Sequence, residues 1–147
     1  MRQMAVERDI TVLELSAVAE ADGGAIDREI DARSRRLGEE SDDFVIDARL
    51  AWHFIERSIK FFLDVRLGVA ATRIFGDRRG KEAENVDLVA TSAAVHNRLG
   101  SETARYREYY GIDWLDPRHF DLTVDTSALT VPEVVVVLED YLARRAV

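Results

Sequence analysis

The chain has no cysteine among its 147 residues. This absence excludes disulfide bonds, thiolate nucleophiles and the usual cysteine-containing zinc sites. No stretch approaches the roughly 18 consecutive apolar residues that a transmembrane helix needs, so no membrane partner is expected. The first ten residues, MRQMAVERDI, lack the basic-then-apolar layout of a secretion signal. We therefore expect a cytoplasmic protein.

Positive charge is also scarce. There are 20 basic residues against 28 acidic ones, and the formal net charge of −8 argues against a nucleic-acid partner. Only Lys60 and Lys81 are lysine, so arginine carries almost all of the positive charge. A high-GC genome gives the same bias, which is also compatible with a phosphate site. The length, with 47% hydrophobic and 33% charged residues, is typical of one globular domain over residues 1–147.

The hydrophobic pattern predicts helices separated by three short strands. Residues 44–46, 58–65 and 122–124 are short apolar runs, which indicate buried strands. Helices are expected over residues 1–8, 11–20, 25–37, 69–79 and 86–109 and from Pro132 onward, with a capping box at Thr11 and a left-handed stop at Gly38. Alternation of strands with helices predicts an α/β fold with a parallel sheet.

The segment 98–113, RLGSETARYREYYGID, is the main candidate for a binding element. Arg98 and Arg105 are seven residues apart, so both guanidinium groups leave one helix face roughly 10 Å apart. Planar guanidinium forks bind phosphate oxygens two at a time. Glu102 lies between the two arginines at helical spacing, so the same residues also fit an ordinary salt-bridged, solvated helix face.

Three further residues, Arg49, Asp27 and Asp31, are candidates for ligand binding. Arg49 follows the predicted strand at residues 44–46, at the end where parallel sheets place ligands, although an ion pair with Asp47 or another nearby acid also fits. Asp27 and Asp31 are four residues apart on one helix face. They could accept hydrogen bonds from a base with an amino group, although solvated carboxylates are commoner.

Other polar and aromatic residues are assigned no chemistry. The histidines show no metal-ligand spacing, so no metal site is expected. The tryptophans are predicted to pack in the core, and three tyrosines are predicted to anchor the exit of the segment. The residues in question are His53, His96, His119, Trp52, Trp114, Tyr106, Tyr109 and Tyr110.

These motifs resemble those of a known family. The pattern Arg-x6-Arg-Tyr-x3-Tyr-Gly-Ile-Asp over residues 98–113 is similar to the region between lid and last strand in cytidylate kinases, above all the short, archaeal-type subfamily. Residues 47–50 resemble the family's Glu/Asp-Gly-Arg-Leu segment, with Ala48 in place of the glycine. Residues 121–127 resemble its last strand.

The resemblance implies a P-loop NTPase fold of the nucleoside monophosphate kinase type, covering the whole chain and including a lid at residues 76–110. The implied reaction transfers a phosphoryl group from ATP to CMP or dCMP, with Mg²⁺ bridging the nucleotide phosphates. The implied roles are catalysis by Arg98 and Arg105, substrate binding by Arg2, Asp27 and Arg49, and contacts of the lid residues Arg73, Arg78 and Arg79 with ATP phosphates. An exposed charge near a frayed terminus is the alternative for Arg2.

One motif of the family is missing. A P-loop requires Gly-x4-Gly-Lys-Ser/Thr directly after a strand. The nearest string, Gly76 to Glu82, is one residue short, has glutamate where a hydroxyl belongs and follows a predicted helix. We interpret it as the start of the lid.

The family's first strand, P-loop, first helix and second strand thus have no counterpart, and we expect an N-terminally incomplete kinase. Three alternatives follow for the natural protein: a longer chain, a truncated chain that dimerises to complete its sheet, or a chain complemented by a second polypeptide. For the 147 residues alone we expect binding of CMP or dCMP, no ready ATP binding and little or no turnover. The alternative is a non-catalytic nucleotide-binding or assembly module derived from a kinase.

Overall fold

The computed structural model describes residues 1–77 and 86–145, which form seven α-helices, one short 3-10 helix and two strands. In chain order the elements are α1 (Arg2–Glu7), α2 (Val12–Ala21), α3 (Ala25–Glu40), α4 (Ala51–Phe54), β1 (Phe61–Asp64), α5 (Leu67–Gly76), α6 (Leu88–Tyr110), the 3-10 helix (Pro117–His119), β2 (Leu122–Asp125) and α7 (Val131–Arg145). Among these helices none is long and apolar enough to cross a membrane.

The predicted capping box is confirmed at the start of α2. The Thr11 hydroxyl accepts from the Glu14 N–H at 3.1 Å, and the Glu14 carboxylate accepts from the Thr11 N–H at 2.7 Å. The stop predicted at Gly38 is wrong, because α3 continues through this residue to Glu40. A Cβ atom at Gly38 would lie 2.9 Å from the side chain of Ile55. Close packing, not a left-handed turn, therefore accounts for the glycine.

Two of the three predicted strands are confirmed. β1 and β2 pair in parallel, with Phe61 opposite Leu122 and Asp64 opposite Asp125. The pairing continues past the strands, where the backbone N–H and the hydroxyl of Thr126 both donate to the Asp64 carbonyl. The described part is thus rich in helix with a small parallel sheet, consistent with an α/β protein.

The third predicted strand, residues 44–46, is wrong. These residues have no regular structure, and Val45 is fully exposed. Asp43, directly before them, has a left-handed backbone with φ of 56°, which interrupts an extended chain. A run of three apolar residues is too short to show the apolar–polar alternation that identifies a half-buried strand. The prediction of a strand here therefore had little support from the sequence pattern.

Two hydrophobic clusters form the core. The first joins α1, α2 and α3 through Met4, Ala5, Leu15, Ala19 and Ile26. The second consists of Leu50, Tyr106, Ile112 and Trp114, with Phe62 of β1 against it. The predicted packing roles of Tyr106 and Trp114 are therefore confirmed. Trp114 also satisfies its buried indole N–H, which donates to the Thr103 hydroxyl of α6 at 3.0 Å.

Arg73 connects α5 to the segment after β2. Its guanidinium donates to the carbonyl oxygens of Thr126 at 2.8 Å and Leu129 at 2.9 Å. The two carbonyl groups of the segment after β2 would otherwise accept hydrogen bonds from water, and the guanidinium takes the place of that water. In this structure Arg73 therefore ties a helix to the sheet.

We predict that Arg73→Ala lowers the free energy of unfolding by about 1 to 2 kcal/mol, because it removes both charge-assisted bonds at a partly exposed site. Urea denaturation at pH 7 measures the change. Arg57→Ala is the matched control, since Arg57 is exposed and makes no hydrogen bond or ion pair with the residues that the structure describes. Equal stability of the two variants would contradict a structural role of Arg73.

A buried carboxylate connects α3 to α6. Asp31 is 6% exposed and accepts a short hydrogen bond from the Tyr110 hydroxyl. Burial raises the pKa of Asp31 to about 6, although the tyrosine hydrogen bond favours the ionised form and opposes the shift. The nearby charge of Asp27 raises the pKa further, and that of Arg35 lowers it. Asp31 is therefore not the solvated carboxylate that the sequence allowed.

The raised pKa of Asp31 predicts a loss of stability as pH rises from about 4 to 6, because the native state binds the proton more tightly than the unfolded chain does. In Asp31→Asn this loss should be smaller by about 1 to 3 kcal/mol. Denaturation series at pH 4 to 7 measure it, with Asp140→Asn on the exposed face of α7 as control. Parallel profiles for wild type and Asp31→Asn would contradict the assignment.

Candidate functional site

A cavity of about 710 Å³ lies between β1, α5 and α6. We call it the arginine cavity. Residues at the carboxyl end of β1 line it, α5 contributes apolar side chains, α6 contributes polar and apolar ones, and Trp114 and Leu115 line it as well. Its lining includes Phe62, Asp64, Leu67, Ala70, Ile74, Arg49, Arg98, Ser101, Glu102, Arg105, Trp114 and Leu115. Placement at the carboxyl end of a parallel strand is typical of ligand sites in α/β proteins.

Arg49 and Arg98 flank one buried carboxylate in this cavity. The Glu102 side chain is 7% exposed, and its Oε1 accepts from Nε of Arg98 at 3.1 Å. Its Oε2 lies 3.1 Å from Nε of Arg49, an ion pair without the alignment of a hydrogen bond. Both arginine side chains are nearly half exposed. The guanidinium of Arg49 also lies 5.3 Å from the ring centre of Trp114.

The interpretation of Glu102 as part of a solvated helix face was wrong. The helical spacing correctly placed Glu102 beside Arg98, but the partner from outside the helix, Arg49, was not foreseen. Arg49 reaches the cavity from the bend before α4, without the strand that was expected to carry it. Its ion pair is with Glu102 and not with Asp47.

Arg105 lies deeper, at the junction of α2, α3 and α6. It is 8% exposed, its Nε donates to Asp27 at 3.1 Å and its Nη1 donates to the Ser101 hydroxyl at 3.0 Å. Ser101 in turn donates to Glu20 of α2 at 2.6 Å. The arginine is thus held by two elements besides its own helix, and it is not on a solvated face.

Burial dominates the electrostatics of Asp27. This carboxylate is 4% exposed, and desolvation raises its pKa, while the positive charge and hydrogen bond of Arg105 oppose the rise. The phenol of Tyr106 is buried beside these groups, and desolvation and the charge of Glu102 raise its pKa as well. Neutral Tyr106 therefore serves as packing over the whole physiological pH range.

Asp64, at the end of β1, lines the cavity but was not among the predicted site residues. Its position as the last residue of a parallel strand was the available signal. Its carboxylate accepts from the Val65 N–H at 2.8 Å. Within residues 1–77 and 86–145 there is no group of three or more histidine, aspartate or glutamate side chains that could hold a metal ion.

The structure thus brings together some of the predicted site residues and not others. Arg49, Arg98 and Arg105 line one cavity, and Asp27 lies behind Arg105. Arg73 is bound to the segment after β2. Arg78 and Arg79, with most of the expected lid start, lie outside the described residues, and so does the side chain of Arg2.

The chain matches the model of the cytidylate kinase-like family over residues 3–128. It is 36% identical over 126 residues to the cytidylate kinase of Methanothermobacter thermautotrophicus, an alignment that covers 86% of this chain and 74% of the relative. It is 39% identical over 128 residues to the cytidylate kinase of Halobacterium salinarum, covering 86% and 63%.

A third relative, the cytidylate kinase of Natronomonas pharaonis, is 39% identical over 144 residues, which covers 94% of this chain and 69% of the relative. No solved structure matches the chain significantly. The resemblance inferred from the arginine and tyrosine motifs is therefore confirmed. Because the family model and these archaeal relatives match most of its length, the chain belongs to the cytidylate kinase-like family.

Proposed function

We propose that this chain carries the acceptor side of a cytidylate kinase and binds CMP or dCMP in the arginine cavity. The observation that carries the proposal is the convergence of Arg49, Arg98 and Arg105 from two distant parts of the chain on one cavity of about 710 Å³. That volume accommodates a nucleotide-sized ligand. The relatives' name, cytidylate kinase, supplies the base and the reaction class.

Arg49 and Arg98 are the side chains best prepared to bind a phosphate. Each engages Glu102 through Nε, and neither makes a hydrogen bond through its terminal nitrogens to any residue that the structure describes. The two free forks can therefore each meet two phosphate oxygens. Phosphoryl transfer depends mainly on positioning and charge neutralisation, so such a pair supplies what the reaction requires without a general base.

Arg105 has fewer nitrogens available for a ligand than Arg49 and Arg98 have. Its Nε and Nη1 are already bound to Asp27 and Ser101, which leaves Nη2 for a ligand. Asp27 is correspondingly occupied, so we propose that it holds Arg105 in place and does not contact the cytosine base. This assignment replaces the expectation of direct substrate binding by Asp27.

The chain has no recognisable motif for binding the phosphate donor. The sequence has no Gly-x4-Gly-Lys-Ser/Thr motif, which cradles ATP phosphates in P-loop kinases. The described residues also offer no cluster of metal ligands, so Mg²⁺ would be held chiefly by the ATP phosphates. We therefore propose weak or absent turnover for these 147 residues alone. The missing motif favours one second candidate, a non-catalytic module that binds the nucleotide.

CMP binding tests the acceptor site. Isothermal titration calorimetry should give a measurable Kd for CMP in the wild type, and Arg49→Ala and Arg98→Ala should each weaken binding by about 10- to 100-fold, since each removes a charge-assisted phosphate contact. Arg107→Ala is the matched control, because Arg107 lies on the same helix with a side chain that is 68% exposed. Unchanged affinity in both cavity variants would contradict the proposed phosphate site.

Titration with Mg·ATP tests the donor site. We expect no heat of binding from ATP and no ADP formation above background when CMP is also present, because the phosphate-cradling loop is missing. A coupled assay for ADP release measures turnover. Tight ATP binding with CMP-dependent ADP formation would contradict the proposed lack of activity and eliminate the non-catalytic alternative.

A further inference from the structure

We infer that Glu102 is a positioning residue that holds Arg49 and Arg98 side by side with their terminal nitrogens directed to the ligand; this inference rests on the proposed phosphate site. The carboxylate is buried, and each of its oxygens faces the inner nitrogen of a different arginine at 3.1 Å. The two arginines come from different elements, α6 and the bend before α4. Glu102 is therefore the group that joins them.

The geometry of the contacts supports this role. A carboxylate that bound the arginine forks end-on would occupy the terminal nitrogens that phosphate needs. Glu102 instead engages Nε of both arginines. Their side chains remain 48% and 44% exposed while Glu102 is 7% exposed. The inner nitrogen of each guanidinium thus faces Glu102, by a hydrogen bond from Arg98 and by an ion pair with Arg49, and the outer nitrogens are left to solvent or ligand.

The charge of Glu102 also supports its positioning role. Two guanidinium groups around one carboxylate would repel each other if that carboxylate were neutral, and long flexible arginines would then spread into solvent. A ligand would have to collect and order both side chains, at a cost in conformational entropy. Because Glu102 already orders both arginine side chains in the free protein, less conformational entropy is lost when the ligand binds, and the site is preorganised.

A positioning role for Glu102 predicts a change in CMP affinity opposite in sign to the change expected from net charge alone. Removing a negative charge from an anion site should strengthen phosphate binding if only net charge matters. If Glu102 positions the arginines, Glu102→Gln should weaken CMP binding about tenfold, because the amide can accept from one Nε but presents a donor to the other. Side-chain size is almost unchanged, so the cavity keeps its shape.

The experiment is calorimetric titration of CMP into four proteins: wild type, Glu102→Gln, Arg98→Ala and the double variant. Glu108→Gln is the control, an exposed glutamate on the same helix whose substitution makes the same change in charge. Thermal unfolding of every variant confirms that each is folded. The expected result is a tenfold loss in Glu102→Gln that shrinks to about threefold or less when Arg98 is already alanine.

Each other outcome is decisive. Affinity in Glu102→Gln equal to or tighter than wild type would overturn the positioning role and leave the arginine site in place. An equal loss in the presence and absence of Arg98 would assign Glu102 to general stability of the fold and would also overturn it. Failure of the wild type to bind CMP would remove the proposed function itself, and the two failures are thereby distinguished.

Discussion

The central constraint on this structure is that the middle of α6 buries charged groups. Glu102 and Arg105 are 6% and 8% exposed, and an unpaired charge at such positions would be strongly unfavourable. Each also has a partner of opposite charge from elsewhere in the chain: Arg49 for Glu102, in addition to Arg98 of the same helix, and Asp27 for Arg105. These pairings fix how the bend before α4 and the helix α3 approach α6. The charged groups that make the cavity polar therefore also hold together the elements that surround it.

An aromatic network holds this polar centre against the sheet. Trp114 packs edge-on against Phe62 of β1 and Tyr106 of α6, and its indole N–H is bound by Thr103 of the same helix. Such rings bury large areas and prefer a few relative orientations, so they contribute to the packing of α6 against β1. Arg49 lies over the same tryptophan. The hydrophobic cluster and the arginine pair consequently share one residue, and displacement of Trp114 would disturb both.

Local signals explain what could be predicted from the sequence. The capping box at Thr11, the strand character of β1 and β2 and the long helix α6 each depend on residues close in sequence, and each was predicted. The parallel pairing of β1 with β2 joins residues 61 positions apart and was not predicted for these two strands. The partnership of Arg105 with Asp27 joins residues 78 positions apart, which no local pattern reports. The strand prediction for residues 44–46 was wrong for the opposite reason. It rested on a local apolar run alone, and such a run forms a strand only where a neighbouring strand pairs with it. The resemblance named Arg49 and Arg98 among the expected site residues, and the structure places both at one cavity, but the resemblance gave no indication of what joins them.

The balance of charge in the cavity explains why the orientation of the arginines matters more than their number. Three arginines line it, but Glu20, Asp64 and Glu102 line it too, and Asp27 lies directly behind. The site is therefore not strongly basic in total, and attraction of an anion by net charge alone would be weak. Exposure does separate Arg49 and Arg98, which are nearly half exposed, from the two carboxylates that hold arginines in place, because Glu102 and Asp27 are buried. Glu20 and Asp64 are exposed and oppose the approach of an anion. A phosphate that enters the cavity therefore comes close to the guanidinium groups of Arg49 and Arg98 first, and the buried carboxylates behind them are farther away. Because electrostatic energy falls with distance, the nearby positive charges contribute more to the potential at the phosphate than these buried negative charges do.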